Sequence, residues 1–307
     1  MPSDVSSDVS SAGGAAEGAR TADPASAGAA RNVPAAASGL SLLASELATL
    51  FRRRRTWAML AALAAIPVLI AVAVRLSSNV PPGRGPAFLD RITQNGLFVA
   101  VTAMLVAVPL FLPLTIGVVA GDTIAGEASL GTLRYLLVAP AGRVRLLLVK
   151  YAGALAFCLA APITVALAGA AIGASLFPVG PVTLLSGDVV QPPEAALRVA
   201  LIVVYLAVSL AGLSAIGLFL STMTVVPVGA MAATVVVSVA SQIADQLPQL
   251  EWLHPWLFSH YWFGFADVLR QPVLWDSFAS NALLQAGYVA VFGALAYARF
   301  VTKDILS

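Results

Sequence analysis

The sequence predicts an all-α integral membrane protein with six transmembrane helices. Of its 307 residues, 59% are hydrophobic and 10% are charged, and the mean hydropathy is +0.90. A soluble globular domain carries about 25% charged residues, so these charges are too few to cover the surface of the chain in water. Six apolar runs each approach the ~20 residues that cross a hydrocarbon layer of ~30 Å. The runs are residues 57–74, 97–120, 146–177, 199–220, 224–244 and 278–300.

Two different segments precede the first run. Residues 1–39 consist mostly of Ala, Ser, Gly and Pro, which predicts a disordered cytoplasmic tail. Residues 40–55 place leucines at helical spacing ahead of the four arginines 52–55, which predicts an amphipathic helix on the membrane surface with its basic end at anionic headgroups. A cleaved signal ending near residues 71–73 is disfavoured because the preceding tail is too long. Residues 40–307 then form one six-helix transmembrane domain.

The positions of Lys and Arg predict the orientation. Twelve of the seventeen basic residues fall in segments on the same side as the amino terminus, and five fall on the other side. Because basic residues are enriched in cytoplasmic segments, we expect both termini in the cytoplasm and a multi-pass protein of the cytoplasmic (inner) membrane. The chain has no basic face interleaved with aromatic residues, so we expect the lipid bilayer, and no nucleic acid, among its partners.

The connection between the second and third runs has helical patterning. Asp122 and Glu127 come early in it, where the positive end of a helix dipole stabilises carboxylates. Leucines from residue 130 onward form one stripe, and Pro140 ends the pattern. The pattern predicts an amphipathic cytoplasmic helix. A solvated connector whose arginines only set the orientation is the alternative.

The same connection carries a resemblance to a known family. Glu127 stands four residues ahead of Gly131-Thr132-Leu133, and a Leu-Leu pair, Pro140, a basic residue and Lys150 follow. In these features and in its six runs, the chain from about residue 40 resembles the permeases of type-2 ABC exporters. The resemblance implies a coupling helix that docks onto a separate ABC ATP-binding subunit, and a second permease copy or a paralogue that completes a dimer. It implies these docking residues: Asp122, Glu127, Gly131, Thr132, Leu133, Arg134 and Arg143.

The chain has no motif of its own for nucleotide chemistry. A phosphate-binding loop needs G-x-x-x-x-G-K-[ST], and no lysine follows the glycines at 126 and 131. We therefore expect ATP and Mg to bind in the partner ATPase and no cofactor or metal ion in this chain. His254 and His260 lie outside the apolar runs, which disfavours an intramembrane protease. The predicted protein is a transport subunit without catalytic residues.

The apolar runs themselves bear on the transport mechanism. None has an ionisable residue at its centre, which disfavours an ion-coupled carrier, although carbonyl groups at broken helices bind sodium without a charge. An ATP-independent secondary transporter or channel is therefore the alternative function, and an assembly or regulatory protein is a third. Several residues within the runs are candidates for a translocation path, with interhelical hydrogen bonding as the other explanation of the polar ones. They are Thr102, Pro109, Pro113, Ser209, Gln242 and Gln285.

The segment between the fifth and sixth runs is rich in aromatic residues. Residues 247–275 contain four of the five tryptophans. Indole rings with a polar edge prefer the headgroup level of a bilayer. We predict a short helix or a re-entrant hairpin in the outer interface, which acts either as a membrane anchor or as a gate.

Overall fold

The computed structural model describes residues 35–77, 95–131, 142–184 and 186–302. Most of the tail predicted for residues 1–39 lies outside these ranges. The described residues form nine α-helices, a small β-hairpin and two 3-10 helices. The helices are α1 (Ala35–Arg52), α2 (Arg54–Ser77), α3 (Leu97–Ala107), α4 (Phe111–Ser129), α5 (Arg143–Leu176), α6 (Pro192–Ser209), α7 (Ala211–Met223), α8 (Pro227–Asp245) and α9 (Asp276–Thr302). The hairpin pairs β1 (Val182–Thr183) with β2 (Val189–Val190) in antiparallel register.

Six helical segments are long and apolar enough to cross a membrane. They are Arg54–Leu76, Phe111–Ser129, Val144–Leu176, Pro192–Met223, Pro227–Asp245 and Asp276–Thr302. Each overlaps one of the six apolar runs, so the prediction of an all-α, multi-pass membrane protein is confirmed. The helix predicted ahead of the arginines is also present, as α1, and it begins five residues before the predicted start.

The second run is divided between two helices. α3 ends at Ala107 and α4 begins at Phe111, with Pro109 in the gap. Proline has no N–H to continue the helical hydrogen bonds, which explains a break at this position. Pro113 does not break α4, because it lies in the first turn of that helix, where backbone N–H groups have no intrahelical acceptor.

Helix α5 is the centre of one half of the bundle, and α7 is the centre of the other. α3 packs antiparallel to α5, and at their closest point a Cβ atom on Gly96 or Gly173 would overlap the backbone of the other residue. α1 and α2 also pack on α5, whereas α4, α8 and α9 pack on α7. α8 and α9 are peripheral, and residues such as Val236 and Leu283 on them are exposed to the surroundings.

The fourth span has a one-residue break at Leu210, between α6 and α7. Carbonyl groups at this junction accept hydrogen bonds from other elements: Trp262 Nε1 donates to Ser209 O at 3.1 Å, and the Tyr151 hydroxyl donates to Ala211 O at 3.0 Å. Such partners are required because lipid supplies none. Cys158, the one cysteine of the chain, is buried beside the same junction.

The aromatic segment folds back onto the bundle. It contains two 3-10 helices, Pro248–Trp256 and Gly264–Leu269. Phe258, Trp262 and Phe265 are buried in the main hydrophobic core, as a re-entrant segment requires. Trp252, Trp256 and Trp275 are exposed, as a membrane anchor requires. The segment therefore contains short helices, with one set of aromatic rings buried and another exposed, and its place in the outer interface stays a prediction.

Candidate functional site

The ionic junction is a cluster of three side chains, Glu46, Glu127 and Lys150, that joins α1, α4 and α5. Lys150 is only 5% exposed, and its Nζ donates to both carboxylate oxygens of Glu46, at 3.0 and 2.9 Å. It also forms an ion pair with Glu127. An ammonium group removed from water is costly unless it is paired and hydrogen-bonded, and here two carboxylates meet that requirement. One lysine therefore links three elements that are distant in sequence.

A second charged group lies beside the ionic junction, at the turn between α1 and α2. Asp122 Oδ2 accepts hydrogen bonds from Arg53 Nη1 at 3.0 Å and from Arg55 Nη2 at 2.7 Å. Both arginine side chains are almost half exposed, so each pair contributes no more than about 1 kcal/mol. We call the end of the bundle that holds these pairs, residues 52–55 and the ionic junction the basic end.

The structure corrects the sequence-based explanation of Asp122 and Glu127. Neither residue begins a helix: Asp122 lies within α4, about two turns before its end, and Glu127 lies in the last turn, where the helix dipole disfavours a negative charge. They are stabilised instead by Arg53 and Arg55 and by Lys150. The predicted separate helix beginning near residue 121 is likewise wrong at its start, because residues 121–129 continue the spanning helix α4.

The end of α4 is set by Gly131. Its φ of +68° is a left-handed conformation that glycine adopts readily, and its N–H donates to Ala128 O at 3.1 Å. Leu130 beside it is 76% exposed. Thr132, Leu133 and Arg134 lie outside the described residues, and Arg143 is the first residue of α5. Among the predicted docking residues, Asp122 and Glu127 therefore have ion-pair partners within the chain, and Gly131 is exposed.

Sequence reasoning missed the partners in this cluster. Lys150 counted only toward the orientation and the family motif, and Glu46 was not singled out. A lysine several residues inside an apolar run was the available signal, because such a residue needs a partner. Its identity was not readable, since Glu46 is 104 residues away in the sequence.

Two candidate path residues, Ser209 and Gln285, are buried in the interior and are linked through Asn281. Gln285 Oε1 accepts from the N–H of Gly212 at 3.1 Å, and its Nε2 donates to Phe258 O at 2.8 Å. Asn281, one turn earlier in α9, donates from Nδ2 to Ser209 Oγ at 2.8 Å. The sequence analysis gave interhelical hydrogen bonding as the alternative to a translocation path, and Ser209 and Gln285 form such bonds.

The remaining path candidates lie elsewhere. Thr102 is buried in α3, Pro109 stands between α3 and α4, and Pro113 is in the first turn of α4. Gln242 in α8 is half-buried. Within the described residues, its side chain hydrogen-bonds only to Ser238 on the same helix, at 3.4 and 3.5 Å. Of the six candidates, the hydrogen bonds within the described residues connect only Ser209 and Gln285, through Asn281.

Most of this bundle matches a known sequence family. Residues 64–306 match the family described as "Protein of unknown function (DUF2705)". The chain belongs to that family. The match includes Asp122, Glu127 and Lys150, whereas Glu46 and the arginines at 52–55 precede it. No match is found among curated proteins.

The opposite end of the bundle, which we call the aromatic end, has a buried arginine of its own. Arg198 in α6 is 5% exposed, and its guanidinium donates to Val268 O at 2.7 Å and to Arg270 O at 2.9 Å. It also donates to Gln271 Oε1 at 2.6 Å and pairs with Glu194 at 2.8 Å. These bonds hold the end of the aromatic segment on α6, which gives Arg198 a structural role.

Within the described ranges, no group of three or more His, Cys, Asp or Glu side chains is arranged to hold a metal ion. A crevice of about 420 Å³ between α3, α5 and α6 is lined by aliphatic side chains, including Leu159, Ile163 and Val204. Such a lining offers no hydrogen-bonding side chain and accommodates only apolar groups.

Proposed function

We propose that this chain is the membrane-spanning permease subunit of an ATP-driven exporter of the ABC type. The observation that carries the proposal is the ionic junction, where Lys150 joins α1, α4 and α5 at the base of the connection 130–142. A force applied to that connection would act on all three helices together. The chain has no phosphate-binding loop, so ATP hydrolysis belongs to a separate subunit that grips this connection.

The length of α5 supports a connection that projects from the membrane. Its 34 residues extend for about 51 Å, whereas the hydrocarbon layer is ~30 Å thick. The basic end carries the arginines of residues 52–55. We therefore place this end, both chain termini and the partner ATPase on the cytoplasmic side of the membrane. The inner membrane is the corresponding location.

The transport path requires a second copy of the chain or a paralogue. Polar side chains at the centre of the bundle, such as Gln285 and Asn281, bond to groups of the same chain. The wall of a path is then supplied by the outer faces of two bundles. The aliphatic crevice between α3, α5 and α6 supports a hydrophobic or amphipathic cargo.

The sharpest test of the ATPase contact uses Leu130. Glu127→Arg is a poor choice, because it places a cation beside Lys150 and disturbs folding. Leu130 is highly exposed, so Leu130→Arg changes the surface alone. We expect affinity purification of the wild-type chain from its native membranes to recover an ATPase with a phosphate-binding loop, and Leu130→Arg to lower the recovery about tenfold or more.

The control is Val189→Asp, at another highly exposed apolar residue, which lies in the β-hairpin at the opposite end. It should recover the ATPase as the wild type does. Recovery of no ATPase by the wild type, or full recovery by Leu130→Arg, would contradict the proposed contact.

An ATP-independent secondary transporter or channel is the second candidate. The observation that favours it is the interrupted fourth span with Ser209, Asn281 and Gln285 beside the break, since such carriers bind substrate at discontinuous helices. Vesicles that contain the purified chain alone separate the two functions. The ATPase-driven proposal expects no flux of an amphipathic dye without the partner and ATP, and sustained flux by the chain alone would favour the carrier or channel.

A further inference from the structure

The four consecutive arginines divide into two pairs with different surroundings. Arg53 and Arg55 form ion pairs with Asp122 on α4. Arg52 and Arg54 are exposed, and neither has an ion-pair partner within the described ranges. The division follows from the backbone, because α1 ends at Arg52, α2 begins at Arg54, and Arg53 forms the turn between them.

The local charge count gives the same division. The basic end brings together the cations of residues 52–55 and Lys150 and the carboxylates of Glu46, Asp122 and Glu127. The three carboxylates are all in ion pairs with Lys150, Arg53 or Arg55. Among these eight residues, Arg52 and Arg54 are therefore the cations outside the ion pairs, and they attract an anion from outside this cluster.

Trp57 indicates the depth of these two arginines in the bilayer. It lies in the first turn of α2 and is 62% exposed, and its Nε1 donates to Phe51 O at 2.7 Å. An exposed indole is typical of the headgroup level of a membrane. Further along α2 the exposed side chains are aliphatic, such as Val68 and Leu69, as contact with hydrocarbon requires. Arg52 and Arg54 are thus placed beside the lipid phosphates.

We infer that Arg52 and Arg54 form a binding surface for the headgroups of anionic phospholipids. A guanidinium is planar, stays charged at every physiological pH and forms paired hydrogen bonds with phosphate oxygens. Lipid bound there fixes the outer side of the turn, while Asp122 fixes its inner side through Arg53 and Arg55. This inference requires only that the bundle lies in a membrane, and it is independent of the proposed transport function.

The test titrates the purified full chain with short-chain phosphatidylglycerol and, separately, with short-chain phosphatidylcholine, and counts bound lipid by native mass spectrometry. We expect the wild type to prefer phosphatidylglycerol. The double variant Arg52→Gln/Arg54→Gln should bind it about thirtyfold more weakly, since each surface cation contributes to anionic lipid binding. Arg52→Lys/Arg54→Lys should retain most of the binding, because it keeps both charges.

The matched control removes the inward pair without leaving a carboxylate unpaired, as Arg53→Gln/Arg55→Gln/Asp122→Asn. Its affinity for phosphatidylglycerol should stay within about threefold of the wild type. Equal loss in this control would overturn the inference, as would equal binding of the two lipids by the wild type. Inorganic phosphate or ATP is added as a competitor, and displacement of phosphatidylglycerol at equal concentration would show a site for soluble anions instead of lipid.

Discussion

The two ends of the bundle are held together by different chemistry. At the basic end, α1, α4 and α5 are joined by ion pairs centred on Lys150 and Asp122. At the aromatic end, neutral groups predominate: the Tyr205 hydroxyl donates to Tyr261 O at 2.6 Å, and Trp262 and Gln285 donate to main-chain carbonyls. Charged groups also pair there, His260 with Asp245 at 2.7 Å and Arg270 with Asp267 at 3.5 Å. Arg198 bonds to Glu194 but mostly to neutral oxygens.

The difference follows the burial of the groups: Tyr205, Trp262 and Gln285 are enclosed in the core, whereas Arg53 and Arg55 are almost half exposed. Ion pairs that are partly exposed to water and headgroups lose less hydration free energy than pairs buried deeply, whereas a polar group within hydrocarbon must find its partner inside the protein. The charged end is therefore sensitive to salt and lipid headgroups, and the neutral end is sensitive to the loss of single hydrogen bonds. Three substitutions test this comparison.

The largest effect is expected for Lys150→Met. Removing the ammonium leaves Glu46 and Glu127 together without their shared cation, which costs about 3–5 kcal/mol for a buried pair. The measurement is the free energy of unfolding of the full chain in mixed micelles. The triple variant Lys150→Met/Glu46→Gln/Glu127→Gln should recover most of the loss. No recovery would mean that Lys150 acts through packing and not through its charge.

An intermediate effect is expected for Gln285→Leu at the aromatic end. The substitution leaves the N–H of Gly212 and the carbonyl of Phe258 without this partner, at a cost of about 1–3 kcal/mol. Gln242→Leu is the same change at a half-buried site with only long contacts, and it should stay within about 0.5 kcal/mol of the wild type in the same unfolding measurement. Equal losses in the two variants would remove the distinction between them.

The smallest effect is expected for Asp122→Asn. The two arginine pairs that it weakens are partly exposed, so the loss should be below about 1 kcal/mol. Its signature is the response to salt. Adding salt should destabilise the wild type slightly and the variant less, because screening acts on the pairs that the variant lacks. Identical salt responses in thermal unfolding would argue against a contribution from these pairs.

Much of the fold was predictable because lipid imposes a simple rule. A helix must be apolar over the thickness of the bilayer, so the six runs were readable from hydropathy alone. The break at Pro109 also has a local cause, since the missing N–H of proline is a property of that residue alone. The junction at Leu210 had no such local signal. It depends on Trp262 and Tyr151, which reach it from other elements.

The candidate site was predictable in place but not in detail. Residues 121–150 stood out through Asp122, Glu127 and Gly131, and the structure brings the first two to the basic end. The partners of their carboxylates were not predictable, because Arg53, Arg55 and Lys150 meet them only after the helices pack. The error about the helix dipole has the same origin: the continuation of α4 through residue 129 depends on contacts with α7 and α8.

Burial of Cys158 has a practical consequence for experiments on sidedness. The chain has a single thiol, and that thiol is enclosed between α5 and the junction at Leu210. Water-soluble maleimides will therefore find no reactive group in the folded wild-type chain. A cysteine introduced at Leu130 or at Val189 then becomes the sole target. Labelling of each variant in intact cells shows whether the basic end or the aromatic end of the bundle faces the outside.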